Sequence, residues 1–246
     1  GLLTSWSEPS SGESGGAPVG IMTPFTQQQL FDLAARYNQY IQPLQILIYI
    51  PTLLIFVLLL RGTKQDTSRG VLLLIGAEWA MVGVLFFFNI VTSAHWIGYL
   101  GGAMFLLAGL YYAVAASHSF PPHFRWRRDN PGLLSLLITA IGVVGYPGIS
   151  WALGREYPQV TTYGLMPGSV ALLTMGVVLS SRPAPRLWLL IPPLVIACGS
   201  VLSIWWWQLW EDFVLLPAAA VSVVAWLKWR SKLEGAPTKD TIRFDF

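Results

Sequence analysis

Glu78 is the one charged residue that falls deep within a long apolar run, seven residues beyond Val71 and next to Trp79. A charged side chain at the centre of a bilayer costs ~2.5–3.5 kcal/mol for aspartate, lysine or arginine on the insertion scale, so such a group faces protein and is the first place to look for function. Two kinds of chemistry suit the Glu78–Trp79 position. As a functional group the carboxyl takes up and releases a proton or binds a cation, whereas as a structural group it stays protonated and bonds to a neighbouring hydroxyl or carbonyl. A relay requires a second polar group at the same depth. Asn89, eleven residues on and about three helical turns away, is too far to supply it, so the structural role is the commoner explanation.

The remaining reactive residues are scattered. His95 lies in one polar break, and His118 and His123 flank Phe120-Pro121-Pro122 in another, so no two histidines sit at one depth on facing helices as a bis-histidine haem needs. His118 and His123 are weak candidates for a metal or pigment, since two ligands without a cysteine or carboxylate cluster make a poor site. Neither a metal nor another cofactor is expected. Cys198 is the single cysteine and forms no internal disulfide. Lys228, at the end of its run, is badly placed for a retinal Schiff base. Arg155-Glu156-Tyr157 and Glu211-Asp212 could line a surface site, although charges in such breaks are ordinarily solvated. No Walker loop, nucleophile elbow, zinc-protease helix or dinucleotide fingerprint occurs, and no catalytic residue is assigned.

The elements that position these residues follow from composition. The 246 residues are 54% hydrophobic and 11% charged, with a mean hydropathy of +0.56, far from the soluble balance of about a quarter charged. Seven apolar runs are long enough to approach ~30 Å of hydrocarbon: Ile41–Leu60, Val71–Val91, Trp96–Ala116, Gly132–Trp151, Gly164–Ser180, Leu187–Trp207 and Phe213–Lys228. Each is continuously apolar rather than alternating, which gives an all-α transmembrane bundle and excludes a barrel. Thirteen of the 15 basic residues fall in alternate breaks and the C-terminal tail, leaving Arg36 and Arg155 opposite. The positive-inside rule then places the N-terminus outside and the C-terminus in the cytoplasm. The net charge of +3 reflects topology, not nucleic-acid binding.

Four segments result. Residues 1–22 form an extended arm, rich in Ser, Gly and Pro, with little to bury. Residues 23–40 form an amphipathic interfacial helix, with Thr23 as cap, Pro24 in the first turn, and Phe25, Leu30, Leu33, Ala34 and Tyr37 at helical spacing. Residues 41–230 are the seven-span bundle, and 231–246 the cytoplasmic tail. In that tail Ile242, Phe244 and Phe246 alternate with polar residues, a pattern suited to adding a strand to a partner's sheet. Gly98 and Gly102 form a small-xxx-small face for close helix approach. The chain begins with glycine, which leads us to expect a processed or shortened N-terminus.

Pro24-Phe25, Tyr37-Asn38, Phe87-Phe88-Asn89-Ile90, Tyr157-Pro158 and Thr162-Tyr163-Gly164-Leu165, with Pro167, Thr174 and Gly176, give the chain a resemblance to an uncharacterised bacterial multi-span membrane family, a domain of unknown function. The resemblance covers roughly Pro24 to Trp226. Where the family continues with Cys-Pro-Thr-Thr, this chain has Gly168-Ser169-Val170-Ala171, so any ligand role of that cysteine and those threonines is lost here. The resemblance implies an integral bundle and supplies no activity.

Scarce intramembrane chemistry, an N-terminal arm with little of its own to bury and an alternating tail together lead us to expect a non-catalytic accessory subunit of a larger bacterial membrane complex, respiratory or photosynthetic. Its partners would be other membrane subunits and lipid, met through the bundle face and both tails, in the bacterial inner membrane. The alternative is a small-solute or ion transporter using Glu78, with the proline-rich fifth and sixth spans as its moving part. An enzyme ranks third.

Overall fold

The computed structural model describes residues 25–234 apart from 43–44, 62–64, 119–121, 127, 165 and 183–185. The N-terminal arm, Thr23, Pro24 and the docking residues Ile242, Phe244 and Phe246 lie outside the described residues.

Helix α1, Gln27–Ile41, starts at Thr26 rather than Thr23. Thr26 Oγ1 accepts from the Gln29 amide while Gln29 Oε1 accepts from the Thr26 amide, a reciprocal cap that satisfies two backbone donors. Its buried stripe includes Leu30, Phe31, Leu33, Ala34, Tyr37 and Ile41. That stripe lies across one end of the bundle, where the Trp207 indole donates to the Phe25 carbonyl at 2.9 Å.

The bundle runs through α2 (Gln45–Arg61), α3 (Gln65–Met81), α4 (Ile97–Ser117), α5 (Asn130–Ala140), α6 (Tyr146–Ala152), α7 (Pro167–Leu179), α8 (Leu187–Trp207) and α9 (Leu215–Glu234). A π-helical segment, Val82–Phe88, extends α3, and another, Ile141–Gly145, joins α5 to α6. Five stretches are long and apolar enough to cross a membrane: Asp66–Ser93, Ile97–Ser117, Asn130–Ala152, Leu187–Trp207 and Trp210–Trp229. Two shorter apolar helices, Leu47–Arg61 and Pro167–Leu179, accompany them.

Helix α7 is the axis of the bundle. Every residue from Gly168 to Leu179 is buried, against α5, α8 and α9 and in part α3. Thirteen residues span only ~20 Å. The short length is compatible with the bilayer because irregular backbone at membrane depth is tolerated when it is enclosed in protein. Outer helices present apolar side chains such as Leu107 and Leu110 on α4 and Ile191 and Leu202 on α8 to the surroundings, as lipid-facing surfaces require.

One small ladder departs from an all-helical chain. β1, His123–Phe124, pairs antiparallel with β2, Ser181–Arg182, with His123 opposite Arg182. The Phe124 amide donates to Ser68 Oγ and the Trp126 amide to the Leu59 carbonyl, drawing the ends of α2, α3 and α7 together at the basic end. Gly98 and Gly102 serve the close approach expected of them, within the α3–α4 hairpin: Gly102 receives the Phe88 ring, a Cβ at Gly83 would lie 3.1 Å from the Gly102 carbonyl oxygen, and Gly98 sits against the Thr92 backbone. The closest α3–α4 crossing uses Gly76 and Gly109, where a Cβ on either would lie 2.7–2.8 Å from the other's carbonyl oxygen.

Candidate functional site

Helix α3 begins six residues earlier than the apolar run, at Gln65, because the polar first turn through Arg69 is helical as well. Glu78 therefore lies thirteen residues along α3, about 20 Å from its start, near the middle of Asp66–Ser93. Its side chain is 1% exposed and faces protein.

The second polar group that the sequence did not reveal is a pair of hydroxyls. Thr52 on α2 places Oγ1 2.5 Å from Glu78 Oε1 and 2.9 Å from the Tyr163 hydroxyl. A threonine hydroxyl has one proton, so the two contacts cannot both be donations. When Thr52 donates to Glu78 it accepts from Tyr163; when it donates to Tyr163 it accepts from a protonated Glu78. The three groups thus form a chain that can run in either direction, since an ionised Glu78 only accepts whereas a protonated one can also donate. Tyr163 is fully buried and, as a phenol, keeps its proton. Glu78 Oε2 has no hydrogen-bond partner.

Trp79 fixes this site from the other side. Its indole donates to Thr174 Oγ1 on α7 at 3.0 Å, and its ring stacks on Phe105 with centroids 5.0 Å apart. A crevice of about 310 Å³ lined by Tyr49, Thr52, Phe56 and Val143 lies beside this chain, and its surface is almost wholly apolar.

The segment that carries Tyr163, residues 153–166, is held by α1. The Asn38 amide donates to the Pro158 carbonyl at 2.7 Å and the Val160 carbonyl at 2.8 Å, and Asn38 Oδ1 accepts from Thr162 at 2.7 Å. Tyr37 donates to the Gly164 carbonyl at 3.2 Å. Gly164 has φ +77°, a left-handed conformation that favours glycine, and a Cβ there would run into Ile48. Asn38→Ala removes two donors and one acceptor and leaves their partners unmet. We expect it to lower stability by about 1–2 kcal/mol and to speed amide hydrogen exchange across 153–166; unchanged exchange there would show that α1 does not hold the segment.

Glu211 and Asp212 correct a sequence expectation, because neither is solvated: they are 0% and 8% exposed. The corner between α8 and α9 turns through Gln208, at φ 51°, into a 3₁₀ segment, Trp210–Val214, that directs both carboxylates inward. Arg155 forms an ion pair with Glu211, while Tyr146 and Ser203 each donate to a different oxygen of Asp212. The only signal in the sequence was the adjacency of two acids within an aromatic stretch.

The histidines remain apart in role. His118 meets the Trp188 ring at 5.9 Å, and His123 belongs to β1. Among the described residues no group of three or more His, Cys, Asp or Glu side chains is placed to hold a metal. Cys198 is exposed on α8.

Long apolar helices packed around an enclosed central helix, with carboxyl groups buried among them, make this a multi-pass membrane protein of all-α class. The chain belongs to the family of unknown function DUF6064, whose model matches residues 27–235. Neither a curated protein nor a solved structure matches the chain. The residue pairs Tyr37-Asn38 and Tyr157-Pro158 and the Thr162-Tyr163-Gly164 run, on which the family resemblance rests, meet one another in the latch between α1 and the segment leading to α7.

Proposed function

We propose that this protein is a small-solute or ion transporter of the bacterial inner membrane in which Glu78 takes up and releases a proton. The observation that carries this reading is the enclosed chain Glu78–Thr52–Tyr163, which can run in either direction and leaves Glu78 Oε2 without a hydrogen-bond partner. Buried carboxylates within a bundle are costly and are retained where they serve a path or a binding event. The crevice that Thr52 helps to line is the opening nearest this chain among the cavities described. In the accompanying topology the chain crosses seven times, with α2 and α7 as the two short crossings. The α1 end is outside, and the end carrying Arg61, Arg69, Arg125, Arg128, Arg182 and Arg186 is cytoplasmic.

The test is proton flux into proteoliposomes containing pyranine under an imposed pH gradient. Wild-type protein is expected to collapse the gradient faster than empty vesicles. Glu78→Gln, which keeps the shape and hydrogen-bonding capacity but not the proton exchange, is expected to reduce the protein-dependent rate at least tenfold. Wild-type flux equal to empty vesicles, or flux unaffected by Glu78→Gln, overturns the reading.

Accessory assembly in a respiratory or photosynthetic complex, without catalysis, is the second reading, and it rests on the alternating residues Ile242, Phe244 and Phe246 and on the arm. Deleting residues 1–20 or 241–246 and measuring retention in an assembly isolated in mild detergent tests it. Full retention after both deletions counts against tail docking.

A further inference from the structure

Helices α4 and α8 meet at one end and part at the other. At the basic end the Tyr111 hydroxyl donates to the Trp188 carbonyl at 2.5 Å and the Tyr112 hydroxyl to the Leu189 carbonyl at 2.8 Å. Towards the α1 end the two helices enclose a cavity of about 440 Å³. Its mouth is formed by Leu100 and Met104 of α4 and Val195 of α8, all exposed on the apolar outer face, so it opens sideways into the bilayer rather than into water. Phe87 and Trp207 contribute aromatic wall, and Gly199 leaves a gap, since a Cβ there meets nothing within 4 Å.

The cavity is apolar with a polar terminus. Asp212 lines it, together with its donors Tyr146 and Ser203. These two hydroxyls occupy one acceptor position on each carboxylate oxygen, and a carboxylate offers about four. The nearby cation, Arg155, is committed to Glu211, so it does not neutralise Asp212 directly. A buried carboxylate without its own cation, at the end of an apolar slot with aromatic walls, is complementary to a positive head on a hydrocarbon body. An anionic or zwitterionic lipid head fits less well, because no uncommitted cation lines the cavity to receive a phosphate.

We propose that this cavity binds a single-chain cationic amphiphile that enters between α4 and α8 from the bilayer, with its ammonium group on Asp212 and its chain along the gap at Gly199. The site is separate from Glu78, and neither Glu78, Thr52 nor Tyr163 lines it.

The experiment uses the full chain in phosphatidylcholine nanodiscs with radiolabelled dodecylammonium as probe, measured by equilibrium dialysis against empty discs. We expect saturable binding of one probe per chain, with dodecanol and dodecyl sulfate competing at least tenfold more weakly than unlabelled dodecylammonium. Asp212→Asn is expected to weaken binding at least tenfold. Gly199→Phe, which fills open space and so leaves the fold intact by size-exclusion and thermal unfolding, is expected to do the same, whereas Gly199→Ala stays within about twofold. The proposal is overturned by binding no greater than to empty discs, by Gly199→Phe binding like wild type, or by dodecanol competing equally.

Discussion

Arg155→Met is expected to destabilise the bundle by about 3–5 kcal/mol, the usual cost of removing one partner from a buried ion pair. Glu211 is 0% exposed, its Oε1 is the atom paired with Arg155, and its Oε2 has no hydrogen-bond partner. Losing the guanidinium therefore leaves a carboxylate enclosed with nothing to compensate it. Arg155 also stands 4.1 Å over the Phe31 ring of α1, so one side chain joins α1, the segment after α6 and the α8–α9 corner. Methionine retains the apolar stem and isolates the electrostatic part of the loss. The double replacement Arg155→Met with Glu211→Met is expected to recover most of the stability, because a buried pair replaced by apolar groups of similar volume is often neutral. Equilibrium unfolding in mixed dodecyl sulfate micelles, followed by circular dichroism, measures all four corners of the cycle. A single-variant cost below about 1 kcal/mol, or a double variant no better than the single, would show that the pair is not enclosed as described.

The same corner shows which parts of the structure could be read from the sequence. Apolar runs locate helices well because lipid imposes one rule on every outward side chain, and all five long helices fall on runs identified by composition alone. Helix ends follow a different rule. α3 starts at Gln65 and α9 continues to Glu234 because hydrogen bonding carries the helix past the point where apolar character stops. The burial of Glu211 and Asp212 depends on a reversal at Gln208 and on donors from α6, α8 and the segment after α6, none of which is near in sequence except Ser203. Glu78 stood out because it is charged. Thr52 and Tyr163 did not, since a hydroxyl in an apolar run is inexpensive and its partner is set by how α2 and the segment before α7 fold over α3. Asn38 was legible as a motif residue, yet its task of holding two carbonyls and a threonine becomes visible only in three dimensions.

Close packing of helix backbones around α7 leads to the other large effect, that of Gly176→Val. A Cβ at Gly176 would lie 2.7 Å from the Thr139 amide nitrogen and 2.8 Å from the Ser135 carbonyl oxygen, and it would also run into the Thr139 hydroxyl. Backbone atoms cannot turn aside as a flexible side chain can, so α5 must move away from α7. Moving it breaks the 2.6 Å hydrogen bond from Ser135 Oγ to the Gly176 carbonyl and disturbs Gly142, whose own Cβ position is 2.8 Å from the Leu173 nitrogen. Nor can α7 withdraw, because α8 and α9 enclose it on its other sides. Overpacking of this kind costs about 3 kcal/mol, at the upper end of the usual range, because two backbones rather than one side chain must yield. Gly148 provides the contrast. It lies within α6, a Cβ there meets nothing within 4 Å, and Gly148→Ala is expected to be neutral or to stabilise by up to about 1 kcal/mol through helix propensity alone. Thermal unfolding in one detergent should therefore place Gly176→Val well below wild type and Gly148→Ala at or above it. If Gly176→Val unfolds within a degree or two of wild type, the α5–α7 crossing is looser than the distances require, and α7 is not the fixed axis on which the Trp79–Thr174 bond and the Glu78 site depend.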